Sequence, residues 1–209
     1  MGDNQRHKRL RLLLKELNKE RKMQAKKIDI LCNDLIGAQR EFIRKLKTIS
    51  FTAGFYESII GITDLNNLLY TAVKLIEGQS PDAGIAFFLR RGESLELHVF
   101  EKSHRPILDK EQLETRLTPE LINNACKANR VCTLDEIFEM GPDGNPTGLD
   151  GTSAVTIPLG RFGASFGFML VYRNSQNKLT CEEIQNISAV VPGLSQAIAS
   201  CQAHSHAAS

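Results

Sequence analysis

Residues 8 to 49 contain no proline and a single glycine, Gly37, so nothing in their composition interrupts a long helix. Stepping alternately by four and three from Leu10 lands on Leu10, Leu14, Leu17, Arg21, Gln24, Ile28, Leu31, Leu35, Ala38, Phe42, Lys45 and Ile49. Nine of these twelve positions are apolar, while the residues between them are mostly Lys, Arg, Glu, Asn and Gln. A 3.5-residue repeat held over about five heptads is the pattern of a coiled-coil seam. A lone helix of this kind would leave its stripe in water, and the stripe outruns a small domain. The expectation is therefore a parallel homodimer in which Leu10, Leu14, Leu17, Ile28, Leu31, Leu35, Phe42 and Ile49 meet their symmetry mates. Arg21 and Gln24 interrupt the seam and would either fix its register or mark a stutter or a crossing-out of the helices. The plainer alternative is a helix that packs its stripe on its own domain.

Charge divides the 209-residue chain in the same place. Residues 1–47 hold 14 basic and 6 acidic residues, a balance of +8; the rest holds 12 and 18, a balance of −6. A basic arm thus precedes a mildly acidic body. The cations Arg6, Lys8, Arg9, Arg11, Lys15, Lys19, Arg21, Lys22, Lys26 and Lys27 raise the question of nucleic acid. They interleave with the heptads and bring no base-reading motif or stacking aromatic, so the expectation is a solvated coiled-coil flank, without nucleic acid. Apolar stretches such as Ile85–Leu89 fall far short of the ~20 residues that span a bilayer, and Leu12-Leu13-Leu14 is too short for a signal peptide. The five cysteines (32, 126, 132, 181, 201) form no CxxC and are odd in number. A cytoplasmic protein with reduced thiols, no membrane partner and no metal site is expected.

After residue 50 the pattern changes. Over 51–61 the heptad breaks, with Gly54, Gly61 and clustered Ser and Thr. Thr63 or Asp64 caps a second helix, and Gly78 sits where a left-handed C-terminal cap would. Two strands, Gly84–Arg91 and Ser94–Lys102, form a hairpin in which Leu95, Leu97 and Val99 alternate with Glu96, His98 and Phe100. A polar stretch follows. Thr118-Pro119 opens a helix to about Asn129, Val131–Leu134 is a short strand, and Glu139–Gly151 is a long loop. Ser153–Leu159 and Gly167–Tyr172 are strands around Gly160–Gly163. Thr180-Cys181-Glu182-Glu183 is a capping box opening a last helix that contains Pro192. The reading is an α+β domain over 51–202, a coiled-coil helix over 1–50 and a frayed tail over 203–209.

Several stretches in register resemble a GAF domain, a small-molecule sensor module of signalling proteins. They are Asp64–Leu69, Ala83–Leu89, Asn123–Cys132, the strand pair Ser153-Ala154-Val155-Thr156-Ile157-Pro158-Leu159 and Gly167-Phe168-Met169-Leu170, and Leu179–Glu183. The resemblance implies a central antiparallel sheet of five or six strands with helices on its faces. The terminal helices lie on one face, and any ligand lies on the other, beneath the intervening helix and loops. The candidate lining is Phe88, His98, Phe100, Leu121, Cys126, Phe138, Thr156, Pro158 and Phe168, rich in rings and poor in charge, which suits a small apolar or aromatic ligand. The resemblance does not fix a cofactor.

Catalytic chemistry finds little support. No serine lies in a GxSxG elbow and no GxxxxGK[ST] loop is present. His98 lacks a recognisable partner, and His204 and His206 fall in the tail. The rival to a non-enzymatic sensory or protein-interaction module is a thiol enzyme. Some proteins that resemble GAF domains are free-methionine-sulfoxide reductases, and Cys126 and Cys132 would be its nucleophile and resolving thiol. On the apolar side of a helix, however, Cys126 suits core filling. The third reading is a ligand-free dimerisation scaffold. With no output domain recognised in the chain, the module would act through a separate output protein or as part of a longer chain.

Overall fold

The structure, a computed structural model, describes residues 3–92, 94–100, 110–139, 151–161 and 163–207. The chain divides into two compact units, residues 1–49 and 50–209.

The first unit is helical throughout its described length, within a helix α1 that spans Asp3–Ile59. The heptad ends over 51–61, yet the helix runs on to Ile59, past the expected boundary at residue 50. Hydroxyls that could have competed with the helix instead bond back to carbonyls one turn earlier: Thr48 donates to Arg44 O at 3.2 Å and Ser58 to Gly54 O at 2.7 Å. Burial of Phe55 and Ile59 in the second unit gives the last turns a reason to persist. The helix ends where Gly61 takes φ +82, a left-handed conformation that glycine adopts without steric cost.

The second unit is built on one antiparallel sheet. Its strands are β1 (Gly84–Arg91), β2 (Ser94–Val99), β3 (Cys132–Thr133), β4 (Thr152–Arg161) and β5 (Ala164–Asn174), in the order β2-β1-β5-β4-β3. The helices are α2 (Leu65–Gln79), α3 (Lys110–Arg116), α4 (Pro119–Ala128), α5 (Leu134–Glu139) and α6 (Cys181–Ala207). This is the expected α+β class.

Strand alternation sends side chains to two cores. Ile85, Phe87, Leu89, Val155, Ile157, Leu159, Met169 and Val171 face α2, α6 and the end of α1. Ala86, Phe88, Ala154, Phe168, Leu170 and Tyr172 face α3, α4 and α5. Gly167 in β5 is required by the sheet itself, since a Cβ there would strike the backbone carbonyl of Phe88 in β1.

The caps decide the helix boundaries. Asp64 accepts from the amide of Asn67 at 2.7 Å and starts α2. Gly78 lies inside α2 rather than at a left-handed cap; the cap is Ser80, whose amide bonds Ile76 O at 2.9 Å. Thr118 caps α4, and Asn129 ends it with φ +44. The capping box at Thr180 and Glu183 forms in both directions, at 2.8 and 3.2 Å. Pro192 lies within α6, where it removes one backbone donor. The Tyr56 hydroxyl donates nearby, to Ala189 O at 3.2 Å. The tail is not frayed from residue 203: α6 stays helical to Ala207. Most of the expected 139–151 loop and the polar stretch after β2 lie outside the described residues.

Candidate functional site

The face of the sheet away from α2 and α6 carries the ligand-pocket candidates, and the strand register brings most of them together. Phe88, Phe168 and Pro158 are cross-strand partners on adjacent strands, and Thr156 pairs with Leu170 and Cys132. The rings of Phe88 and Phe168 stack with centroids 4.8 Å apart. Above them lie Leu121 and Cys126 from α4 and Phe138 from α5, all buried. Thr156 satisfies its buried hydroxyl by donating to Cys132 O at 3.3 Å. α4 is held over the sheet end by two side-chain bonds, from Arg90 to Asn123 at 2.5 Å and from Asn129 to Gly163 O at 3.0 Å.

His98 and Phe100 do not join this group. His98 pairs with Phe87, so it points to the opposite face, and the Phe100 ring packs edge-on to Phe87 with centroids 6.4 Å apart. The period-two pattern of β2 already contained this result, since Leu95, Leu97 and Val99 take the α3–α4 side. His98 Nε2 lies 3.7 Å from Glu96 Oε2 without a hydrogen bond among the described residues. Burial lowers the His98 pKa, against an opposing pull from Glu96, which favours a neutral ring.

A hollow of about 210 Å³ remains on the α3–α4 side, lined by Phe88, Leu95, Leu97, Glu114, Leu117, Pro119 and Ile122. Of the nine candidates only Phe88 reaches it. It sits towards β2 because the stacked rings and α5 fill the centre. Leu95 and Leu97 were recognisable as the inward half of a strand. Leu117 and Ile122 depended on how α3 and α4 fold over it. A larger groove of about 470 Å³ lies on the other side of the unit, between Tyr56–Thr63 and the α6 residues Gly193–His204.

The thiols differ in their surroundings. All five cysteines are free; Cys126, Cys132 and Cys201 are buried, Cys32 and Cys181 exposed. Burial pushes the Cys126 thiol up, with Ser165 and Arg90 opposing. Burial also raises Cys132, whose Sγ donates to Arg130 O at 3.4 Å. A nucleophilic thiol needs the opposite shift. No group of three or more potential metal ligands occurs among the described residues.

On α1, all eight seam residues are exposed in the single chain, from 54% at Leu14 to 67% at Leu35. Ile36, Ile43 and Leu46 are exposed beside them and widen the apolar band beyond the expected stripe. No described helix is long and apolar enough to cross a membrane.

No protein-family pattern matches the sequence, and no curated protein matches it. Solved structures do. The GAF domain of an Acinetobacter phosphoenolpyruvate-protein phosphotransferase superposes with a TM-score of 0.56 at 14% identity, over 77% of this chain and 95% of that one. The corresponding GAF domain from Coxiella burnetii gives 0.57 at 13% identity, over 77% and 98%. A free methionine-R-sulfoxide reductase from Neisseria meningitidis gives 0.52 at 12% identity, over 75% and 91%. The chain therefore has the GAF fold that its sequence resembles. The reductase shares that fold.

Proposed function

We propose that this chain is a non-enzymatic sensory or interaction module of the GAF kind, acting as a homodimer joined along α1. The observation that carries this reading is the exposed seam. Eight large apolar side chains stand in water at heptad spacing in the single chain. Burying each contributes ~1.5–3 kcal/mol before ordering costs, so two matched stripes suffice for stable association. The proposed ligand is small and largely apolar, held against Phe88 in the hollow between β1–β2 and α3–α4. Among the described residues Glu114 is the one ionisable residue lining the hollow, whose volume suits a compact ring or short chain. The proposed compartment is the cytoplasm, where free thiols persist.

The test is sedimentation of the full chain beside a double variant, Leu31→Asp with Leu35→Asp. The full chain is expected at twice 23.3 kDa and the variant as a monomer. A monomeric parent, or a variant that dimerises equally well, removes the seam as the interface. The thiol-enzyme reading is disfavoured by the raised pKa values of Cys126 and Cys132.

A further inference from the structure

The ten cations near the start of α1 are not spread evenly around it. At about 100° per residue, Lys8, Arg11, Lys15, Lys19, Lys22 and Lys26 fall within an arc of about 80°, a continuous ridge ~27 Å long. Between Lys8 and Lys26 no Asp, Glu, Asn or Gln shares that arc; Glu16 and Glu20 lie outside it, and Asp29 falls at its edge one turn further on. All six ridge residues are exposed, and among the described residues none is paired with a carboxylate. The ridge centre lies roughly 140° around the helix from the line through Leu10, Leu14 and Leu17.

We propose that this ridge binds the phosphate backbone of duplex nucleic acid, without reading its sequence. Three observations select that partner. First, a helix lying on lipid inserts its apolar face, and here that would turn the ridge away from the headgroups into water. Second, no Phe, Tyr or Trp occurs before Phe42 and the one imidazole, His7, stands alone, so the segment has no run of rings on which unpaired bases could stack. Third, the arc lacks the amide side chains that read adenine edges, and its charges are mostly lysine, which meets phosphate as a point charge. A DNA duplex presents one charge per ~1.7 Å of axis, on the order of 16 over the ridge's length, so six unpaired cations find complementary charge along their whole run. The inference goes beyond the sensory reading and needs neither the pocket nor the dimer. It replaces the solvated flank expected from the sequence, because missing base-reading and stacking groups exclude sequence readout and not phosphate binding.

The test uses the full chain and a labelled 24-base-pair DNA of mixed sequence, followed by fluorescence anisotropy. If all six cations engage phosphate, log affinity falls with log salt at a slope of about −5, a loss on the order of 10³-fold between 50 and 200 mM salt. The ridge variant K8Q/R11Q/K15Q/K19Q/K22Q/K26Q is expected to weaken binding at 50 mM salt by on the order of 100-fold and to flatten the slope. An off-ridge variant of equal charge loss, R6Q/R9Q/K27Q/K45Q/K127Q/K178Q, is expected to lose less than about tenfold. Gln is a good helix former, and the charge-preserving K8R/K15R/K19R/K22R/K26R variant should bind like the parent, which separates charge loss from misfolding. Absence of duplex binding at 50 mM salt, a salt-independent affinity, or equal weakening by the two Gln variants overturns the proposal. So does tighter binding to phosphatidylserine vesicles or to polyglutamate than to the duplex.

Discussion

Glu183 shows how one side chain can serve two purposes. It closes the capping box of α6 and also receives Arg173, whose Nη2 lies 2.6 Å from Oε1, and the Ser80 hydroxyl at 3.1 Å. Burial alone would raise its pKa, but the Thr180 amide, Arg173, the Thr180 hydroxyl and Ser80 together outweigh it and hold the carboxyl at about 2. Because the folded value lies below the ordinary 4.5, the stabilisation is fully present above pH 4.5 and is lost as pH falls towards 2. Glu183→Gln should therefore cost about 2 kcal/mol at pH 7, and the variant's urea midpoint should fall less between pH 7 and pH 3 than the parent's. A variant with the parent's full acid dependence would assign that dependence to other groups. The thiols give a second residue-scale expectation. Iodoacetamide at pH 7 should label exposed Cys181 well before buried Cys126 and Cys132, read by mass spectrometry of the native chain. Rapid labelling of the two buried thiols would revive the reductase reading.

Among the elements, the differences between sequence expectation and structure have local causes. α1 passes Gly54 because hydroxyls that could compete with the helix bond back into it, and because Phe55 and Ile59 have a core to enter. α5 was missed although its signal was present. Thr133 and Glu136 form a second capping box, with the Thr133 amide donating to Glu136 Oε2 at 2.7 Å and the reciprocal bond at 3.4 Å. A six-residue helix carries too little periodicity to be read without that cap. Gly167 illustrates the reverse case, a position legible as part of a resemblance before its reason was visible. The close approach of β1 predicts that Gly167→Ala costs about 3 kcal/mol, because the obstructing group is backbone and cannot turn aside. The measurement is a urea midpoint at unchanged m value; a cost below about 0.5 kcal/mol would show that the strands can separate slightly at that point.

For the whole molecule, the two units follow different rules of stability. The second unit encloses its apolar side chains on both faces of one sheet and has the means to stand by itself. The first has no core of its own, since its apolar band is exposed along its length. An isolated helix in water is marginal even with favourable residues, so its stability comes from whatever covers that band. The proposed dimer therefore has a second readout beside sedimentation. The helical signal of the full chain should melt at a temperature that rises with protein concentration, whereas the Leu31→Asp, Leu35→Asp variant should melt independently of it.

The sequence by itself determined the long first helix, the heptad spacing of its apolar residues, the charge asymmetry, the strand pairs and the capping boxes. Each of these is set by residues close in the chain, through periodicity or a local hydrogen bond. It also held the side on which His98 and Phe100 lie, in the alternation of β2, although the expected lining did not follow it. Tertiary structure alone decided the strand order β2-β1-β5-β4-β3, which places Phe88 beside Phe168 across 80 residues of chain. It also decided where the hollow lies. Stacking of two rings and closure of α5 fill the middle of that face, and the space left over falls against Leu95 and Leu97. A cavity is what remains after packing from several distant segments, so no local pattern encodes it.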